Sequence, residues 1–237
     1  MPRLDIQRGM VWELIIEMAP QVERLTGWGL ALSSLGVRIL PRSRGYEEIL
    51  LARLRGAGLA VRDDGPRDLL ERLVEYVVEN VVLAAYDPAA QQVCVVRENV
   101  DDSNLDGLRL VLAHELVHRG QHVQYPGLFD RVNRIVRAAA ELVMRGGNFA
   151  DAMRTMQEVQ PIMTLMESHA WHVQELLRER MPGARIESHF NLPSLLMRVF
   201  GRRKLSQYRG KVPAVRRAMA DGTLQDLYAN MQAGGPP

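Results

Sequence analysis

A cluster of histidines and one glutamate is the feature of this sequence that most clearly suggests chemistry. The stretch VLAHELVHRGQHVQ, residues 111–124, contains three of the six histidines of the chain and places a glutamate directly after the first. On an α-helix, residues four apart lie about 40° apart around the axis and about 6 Å apart along it. His114 and His118 can therefore both point an imidazole at one metal ion.

Glu115 is placed for a different task. Its position, one residue after the first histidine, lets the carboxylate reach a water molecule at the metal rather than the metal itself. A catalytic zinc site usually takes three ligands from the protein and leaves the fourth position to water. This HExxH pattern therefore predicts metal-assisted hydrolysis with Glu115 as general base, and it requires a third ligand from elsewhere in the chain.

His122 continues the spacing but is not expected to bind the same ion. A straight helix places it about 12 Å from His114 along the axis, which is too far for bonds of about 2 Å. A break at Gly120 could shorten that distance. The spacing, however, does not match the pattern HExxHxxGxxH, in which the glycine and the third histidine come later.

The segment MTLMESHAWHV is the better source of a third ligand. Glu167 and His169 are two residues apart, hence about 200° apart on a helix, so both cannot serve one ion. His169 falls within an apolar stripe, which indicates a core histidine. The stripe consists of Leu165, Met166, Val173 and Leu176. Glu167 lies on the flank, where a buried carboxylate needs a partner, and we predict that the metal is that partner.

The elements that must position these residues are mostly helical. Apolar residues recur at helical spacing from Leu69 to Val82, which predicts a helix that opens after Pro66 and ends at Asp87–Pro88. Residues 91–99 are β-branched and bounded by turn residues, which predicts a strand, and a second strand is predicted at 36–41. Ser103 and Asp106 resemble a helix cap before the histidine segment.

Further helices are predicted at 128–144, 161–180 and 192–200, with two short ones within 212–231. The 237 residues, 47% hydrophobic and 24% charged, have an ordinary globular composition. We therefore expect a single domain over 1–237, mainly α (α+β), with a small β-sheet.

The cysteine content and the N-terminal segment indicate the cellular compartment of the protein. Cys94 is the only cysteine, so no internal disulfide can form. Charged residues interrupt the apolar positions of the first 20 residues, which leaves neither a signal-peptide core nor a membrane span. The sequence predicts a cytoplasmic protein without a membrane partner.

Charge gives a weaker indication of partners. The formal net charge is +2, but residues 188–220 contain eight lysines and arginines and no acidic residue. A solvated helical face that pairs with carboxylates elsewhere explains this run better than an acidic partner does. Nucleic acid is not an expected partner, because the total charge is nearly neutral and no reading motif is present.

Two segments resemble a known family. The stretch HELVHRGQHVQYPGLFDRV followed by LMESHAWHV is similar to zincin-like metallopeptidases, HExxH zinc hydrolases of which some are labelled as associated with deazaflavin coenzyme biosynthesis. The similarity extends to KLSQYRGKVPAVRRAM near the C-terminus. In related zincins a motif resembling EGxAxY supplies the third ligand, and its glutamate falls on Glu167. Ser168 replaces the usual glycine, and His172 stands where tyrosine is common.

The resemblance implies a zincin-like fold and zinc peptidase chemistry. His114, His118 and Glu167 are expected to bind Zn²⁺, and Glu115 to activate water against an amide of a peptide or protein substrate. The resemblance also implies that strand 91–99 is an edge strand that pairs with extended peptide. His169, His172 and Tyr208 are candidates to stabilise the oxyanion. The alternative is a metal-binding but non-hydrolytic scaffold or interaction protein, whose arginine-rich C-terminal part holds an acidic partner.

Overall fold

The computed structural model describes residues 6–42, 83–100, 104–144, 148–184 and 202–235. In these residues it contains seven α-helices and one three-stranded sheet, which confirms the predicted mainly α (α+β) class. The helices are α1 (Arg8–Thr26), α2 (Leu105–Gln124), α3 (Pro126–Met144), α4 (Phe149–Gln157), α5 (Gln160–Arg178), α6 (Arg202–Ala220) and α7 (Leu224–Gln232). The strands are β1 (Gly36–Leu40), β2 (Ala84–Asp87) and β3 (Gln92–Val96).

Helix α1 supplies one wall of the main core. Its buried residues recur every three or four positions, as expected for a helix with one buried face. They are Val11, Leu14, Ile15, Met18, Ala19 and Val22. The helix ends at Gly27, whose positive φ of 71° suits a residue without a side chain, and whose N–H donates to the carbonyl of Glu23 at 2.8 Å. Trp28 and Leu30 then turn back toward α2.

The sheet has the order β1–β3–β2. Strand β3 lies parallel to β1 and antiparallel to β2, and Val93 is paired with Val37 on one side and Tyr86 on the other. The predicted strands at 36–41 and 91–99 are therefore confirmed. The prediction that strand 91–99 lies at an edge is wrong, because β3 lies between β1 and β2, and β2 occupies an edge of the sheet among the described residues.

Strand β2 also corrects the predicted helix that ends at Asp87–Pro88. Residues 84–87 form a strand in which every residue is buried, and residues 69–82 of the predicted helix lie outside the described residues. A run that is apolar at nearly every position fits a buried strand as well as it fits a helix. Pairing with β3 decides between them.

Helix α2 carries the histidine cluster through the interior of the protein. Asn104, rather than Ser103, caps its N-terminus, because the Asn104 side-chain oxygen accepts from the N–H of Gly107 at 3.0 Å. Ser103 lies outside the described residues. The helix packs against α1, α5 and β2, so it buries residues on several sides.

The C-terminal half adds helices around α5. The predicted helices at 128–144 and 161–180 correspond to α3 and α5. Of the two short helices predicted within 212–231, the second matches α7, but the first is longer and begins at Arg202. The predicted helix 192–200 lies outside the described residues. None of the described helices has both the length and the apolar character needed to cross a membrane.

Candidate metal centre

Helices α2 and α5 bring three predicted ligands to one point. The Nε2 atoms of His114 and His118 lie 3.2 Å apart. The Glu167 carboxylate completes the triangle, with Oε2 at 3.4 Å from His114 Nε2 and Oε1 at 3.5 Å from His118 Nε2. Each of the three side chains is partly exposed.

The donor set fits a metal ion. Two imidazole nitrogens and one carboxylate oxygen, all within 4.8 Å of one another, offer the ligand types that divalent transition metals prefer. Three protein donors leave further coordination positions for solvent or substrate. The juxtaposition predicted from sequence is therefore present, and it is able to hold a metal.

The electrostatics at His114 reflect the neighbouring carboxylates. Burial is the largest influence and lowers the pKa of His114, but the opposing influences together raise it above its ordinary value. The strongest of these are the hydrogen bond and the charge of Glu167, followed by the charge of Glu115. A hydrogen bond with the buried Gln174 acts in the same direction. The site therefore favours a positive charge, as a cation site requires.

Glu115 is held by the edge strand. Its Oε2 accepts a hydrogen bond of 2.7 Å from the backbone N–H of Tyr86 in β2, and the side chain is only 8% exposed. A buried carboxylate needs such a donor to offset its loss of water. The bond also joins the residue after His114 directly to the edge of the sheet.

Gln121 forms a hydrogen bond with the Nδ1 side of the His118 ring. Its Oε1 lies 2.8 Å from His118 Nδ1, and its Nε2 donates to the Met166 carbonyl and to the Tyr228 hydroxyl, both at 2.9 Å. The Gln121 side chain is fully buried. Gln121 follows His118 by three residues, a helical spacing at which side chains meet, so the sequence contained a signal for this contact. No sequence signal indicates Tyr228, which lies 107 residues from Gln121.

Arg119 connects the loop after α1 to strand β2 by hydrogen bonds. Its side chain is 3% exposed, and within the described part of the chain it donates five hydrogen bonds to neutral acceptors. These acceptors are the carbonyls of Leu30 and Ala31, the hydroxyls of Ser34 and Tyr86, and the side-chain oxygen of Gln91. Sequence reasoning missed Arg119, because its partners are distant along the chain.

The other histidines lie outside the ligand triangle. The Tyr86 hydroxyl and His122 Nδ1 share a hydrogen bond of 2.8 Å, and α2 continues unbroken through Gly120. His169 is fully buried, with its ring edge-on to Trp28 at a centroid distance of 4.9 Å. This placement agrees with the predicted core position of His169.

The remaining oxyanion candidates are not brought to the ligand triangle by any described contact. His172 is buried, and its Nδ1 has no hydrogen-bond partner in the described part of the chain. Burial lowers its pKa, and the charge of Arg216 adds to this effect. The side chain of Tyr208 lies outside the described part of the structure. Their proposed role therefore stays a prediction.

Comparison with known proteins gives no independent assignment. No family model, no curated protein and no solved structure matches this chain. The resemblance to zincin-like metallopeptidases stays a prediction, and a function has to be argued from the chemistry of the site.

Proposed function

We propose that this chain is a zinc-dependent hydrolase that cleaves peptide bonds, as in the zincin-like metallopeptidases. The observation that carries the proposal is the convergence of His114, His118 and Glu167 beside the buried carboxylate of Glu115. Two histidines and one glutamate form a ligand set used by catalytic zinc sites, in which a further position stays open.

Tetrahedral and octahedral ions require different separations between their donor atoms. With bonds of about 2.0 to 2.1 Å, a tetrahedral ion separates its ligand atoms by about 3.3 to 3.4 Å. At the right angles of an octahedral ion the same bonds separate them by about 3.0 Å. The two histidine nitrogens lie 3.2 Å apart, between the two values, and the distances of 3.4 and 3.5 Å run to different oxygens of Glu167, so zinc is proposed from the ligand types.

In this proposal the metal, Glu115 and the Tyr86 N–H have different chemical roles. When bound, zinc supplies Lewis acidity, which makes water a stronger acid and polarises a carbonyl group. Glu115 takes the proton of the attacking water and then passes it to the leaving amine. The Tyr86 N–H holds one oxygen of that carboxylate, so the other oxygen is the one that carries the proton.

The orientation of strand β2 bears on the substrate proposal. The N–H of Val96 donates to the carbonyl of Leu83, and alternation along an antiparallel pair then turns the backbone groups of Ala84 and Tyr86 away from β3. The bond from Tyr86 to Glu115 agrees with this orientation. No described strand pairs with this outer edge. Every residue of β2 is buried and the Tyr86 N–H is already bonded to Glu115, so a peptide or protein substrate is proposed from the resemblance to zincin-like metallopeptidases and not from pairing along this edge.

A cytoplasmic location belongs to the same proposal. It is supported by Cys94, a single free thiol that is buried in β3 and cannot form an internal disulfide. The expectations of no nucleic-acid partner and no membrane partner also stay proposals.

A metal-binding protein without hydrolytic activity is the second candidate. The observation in its favour is that the Glu115 carboxylate is largely buried and already bonded to Tyr86. A general base has to exchange protons with water, so a carboxylate enclosed in this way could serve only to hold β2 against α2.

Metal content and peptide cleavage test the proposal together. Protein purified without chelator should carry about one zinc per chain, and less than about a tenth of an equivalent after zinc is offered would contradict it. The zinc-loaded protein should cleave members of a broad peptide library. Glu115→Gln should keep zinc and lose cleavage, because an amide cannot take the proton of water.

Glu175→Gln is the matched control. Glu175 is a partly exposed glutamate that pairs with Arg178, so the same chemical change at this position should leave cleavage intact. Cleavage by Glu115→Gln at the parent rate would show that Glu115 is not the base. Zinc binding without any cleavage by the parent would favour the non-hydrolytic candidate.

A further inference from the structure

The buried amide of Gln121 has neighbours that fix its orientation. One end faces His118 Nδ1 at 2.8 Å, and the other faces the backbone carbonyl of Met166 at 2.9 Å. A backbone carbonyl can only accept hydrogen bonds. The end of the amide that faces Met166 must therefore be the NH₂ group, and the end that faces His118 must be the oxygen.

The orientation of the amide determines the proton position on His118. An amide oxygen accepts and cannot donate, so His118 Nδ1 has to carry a hydrogen to bond with Gln121 Oε1. In a neutral imidazole only one nitrogen is protonated. His118 Nε2 then keeps its lone pair, and this is the atom that faces His114 and Glu167.

The reversed amide is excluded by the same neighbours. It would place two acceptor oxygens 2.9 Å apart, at Gln121 and Met166, inside a fully buried region. The hydroxyl of Tyr228 can donate or accept, so it tolerates either orientation of the amide. The Met166 carbonyl is therefore the group that decides.

We propose that the backbone carbonyl of Met166, acting through Gln121, holds His118 as the tautomer protonated on Nδ1 and so makes Gln121 a positioning residue for the metal centre. The part of this inference that concerns metal binding rests on the proposed role of His118 as a ligand. Because Met166 directly precedes Glu167, the same amide joins α2 to α5 beside the third ligand. The metal-facing lone pair is then present before any metal arrives.

Nuclear magnetic resonance of the metal-free protein tests the tautomer directly. Full-length protein with ¹⁵N-labelled histidines is freed of metal by chelator and studied at increasingly alkaline pH until the ring signals of His118 no longer change. Long-range ¹H–¹⁵N correlation then shows which ring nitrogen is protonated, and a His118→Asn variant assigns the signals of this ring. The parent should show protonation at Nδ1 of His118, the tautomer that is less common for histidine in water.

Variants identify the group that imposes this tautomer. Gln121→Met removes the amide at similar volume and should shift His118 toward protonation at Nε2. Gln174→Met removes the amide that bonds His114 and should leave His118 unchanged, which makes it the matched control. Tyr228→Phe removes the hydroxyl but not the Met166 carbonyl, so the His118 tautomer should also be retained.

Zinc affinity, measured by competition with a chelator, gives a second readout. Gln121→Met should weaken it by about 10- to 100-fold, as is typical when the partner of a metal-binding histidine is removed. Parent protein with His118 protonated at Nε2, or a Gln121→Met tautomer equal to that of the parent, would overturn the inference. So would loss of the tautomer in Tyr228→Phe.

The two proposals fail in different ways. If Gln121→Met does not fold, the parent and Tyr228→Phe spectra still decide the question of the tautomer. If the parent binds no zinc, the proposed function is lost, but the tautomer is read from metal-free protein and is judged separately.

Discussion

His169 should make the metal-free protein sensitive to acid. Its side chain is fully buried, and burial, followed by the charges of His118 and His172, lowers its pKa to about 3 from an ordinary value of 6.5. The folded protein therefore keeps His169 neutral at pH values where the unfolded chain protonates it. The stability associated with the neutral ring is present above pH 6.5 and is lost as the pH falls toward 3.

The size of the effect follows from the shift. Each pH unit below 6.5 costs about 1.4 kcal/mol until the pH reaches the folded-state pKa of His169. Between pH 7 and pH 5 the loss from this one residue is about 2 kcal/mol. That loss is a large fraction of the stability of an ordinary domain, so it is measurable by urea unfolding.

The assay compares the metal-free parent with His169→Phe at pH 7 and pH 5. Phenylalanine keeps an aromatic ring against Trp28 but cannot be protonated. From pH 7 to pH 5 the free energy of unfolding of the parent should fall by about 2 kcal/mol more than that of the variant. The other titrating groups are the same in both proteins, so their contributions cancel in this difference. Equal losses in the two proteins would refute the buried, neutral state of His169.

His114 provides a control, because its protonation should change the folding stability in the opposite direction to that of His169. The pKa of His114 is raised, so its protonation favours the folded metal-free protein below pH 6.5, and this contribution disappears as the pH rises through the folded-state value. His114→Gln should therefore increase the loss of stability between pH 7 and pH 5. A decrease would show that the carboxylates do not control His114.

Two further predictions concern the third ligand and the buried arginine. Glu167→Ala should weaken zinc binding by orders of magnitude in chelator competition, whereas His169→Ala should keep zinc and cost about 2 to 4 kcal/mol of stability in urea unfolding. The reverse pattern of zinc loss would make the site a three-histidine centre. Arg119→Met should cost about 3 kcal/mol or more, because several buried acceptors lose their donor together. A cost below about 0.5 kcal/mol, typical of surface substitutions, would contradict this.

The sequence was sufficient to predict the arrangement of the ligand residues. Helical spacing alone placed His114 and His118 together, and the angle between Glu167 and His169 separated a ligand from a core residue. Both inferences depend only on local helix geometry, which neighbouring elements did not disturb. The structure contains the predicted triangle, although metal binding itself stays a prediction.

The parts that sequence reasoning missed depend on contacts between distant segments. Ala84 and Ala85 continue an apolar helical pattern, and only pairing with β3 makes them part of a strand. Arg119 was not singled out from the sequence, because its hydrogen-bond acceptors come from up to 89 residues away. Helix α1 was absent from the predicted elements, although its buried positions follow ordinary helical spacing.

The contact between Gln121 and Tyr228 has a consequence for how the protein is made. A ribosome releases the chain from its N-terminus, so His114, His118 and Glu167 are synthesised before Tyr228. The 61 residues from Glu167 to Tyr228 (228 minus 167) require about 3 to 12 seconds at about 5 to 20 residues per second. During that interval the nascent chain holds every proposed ligand but not helix α7, whose Tyr228 bonds Gln121. The emerging chain can therefore meet metal before its surroundings are complete, and the finished site forms only once α7 has joined the fold.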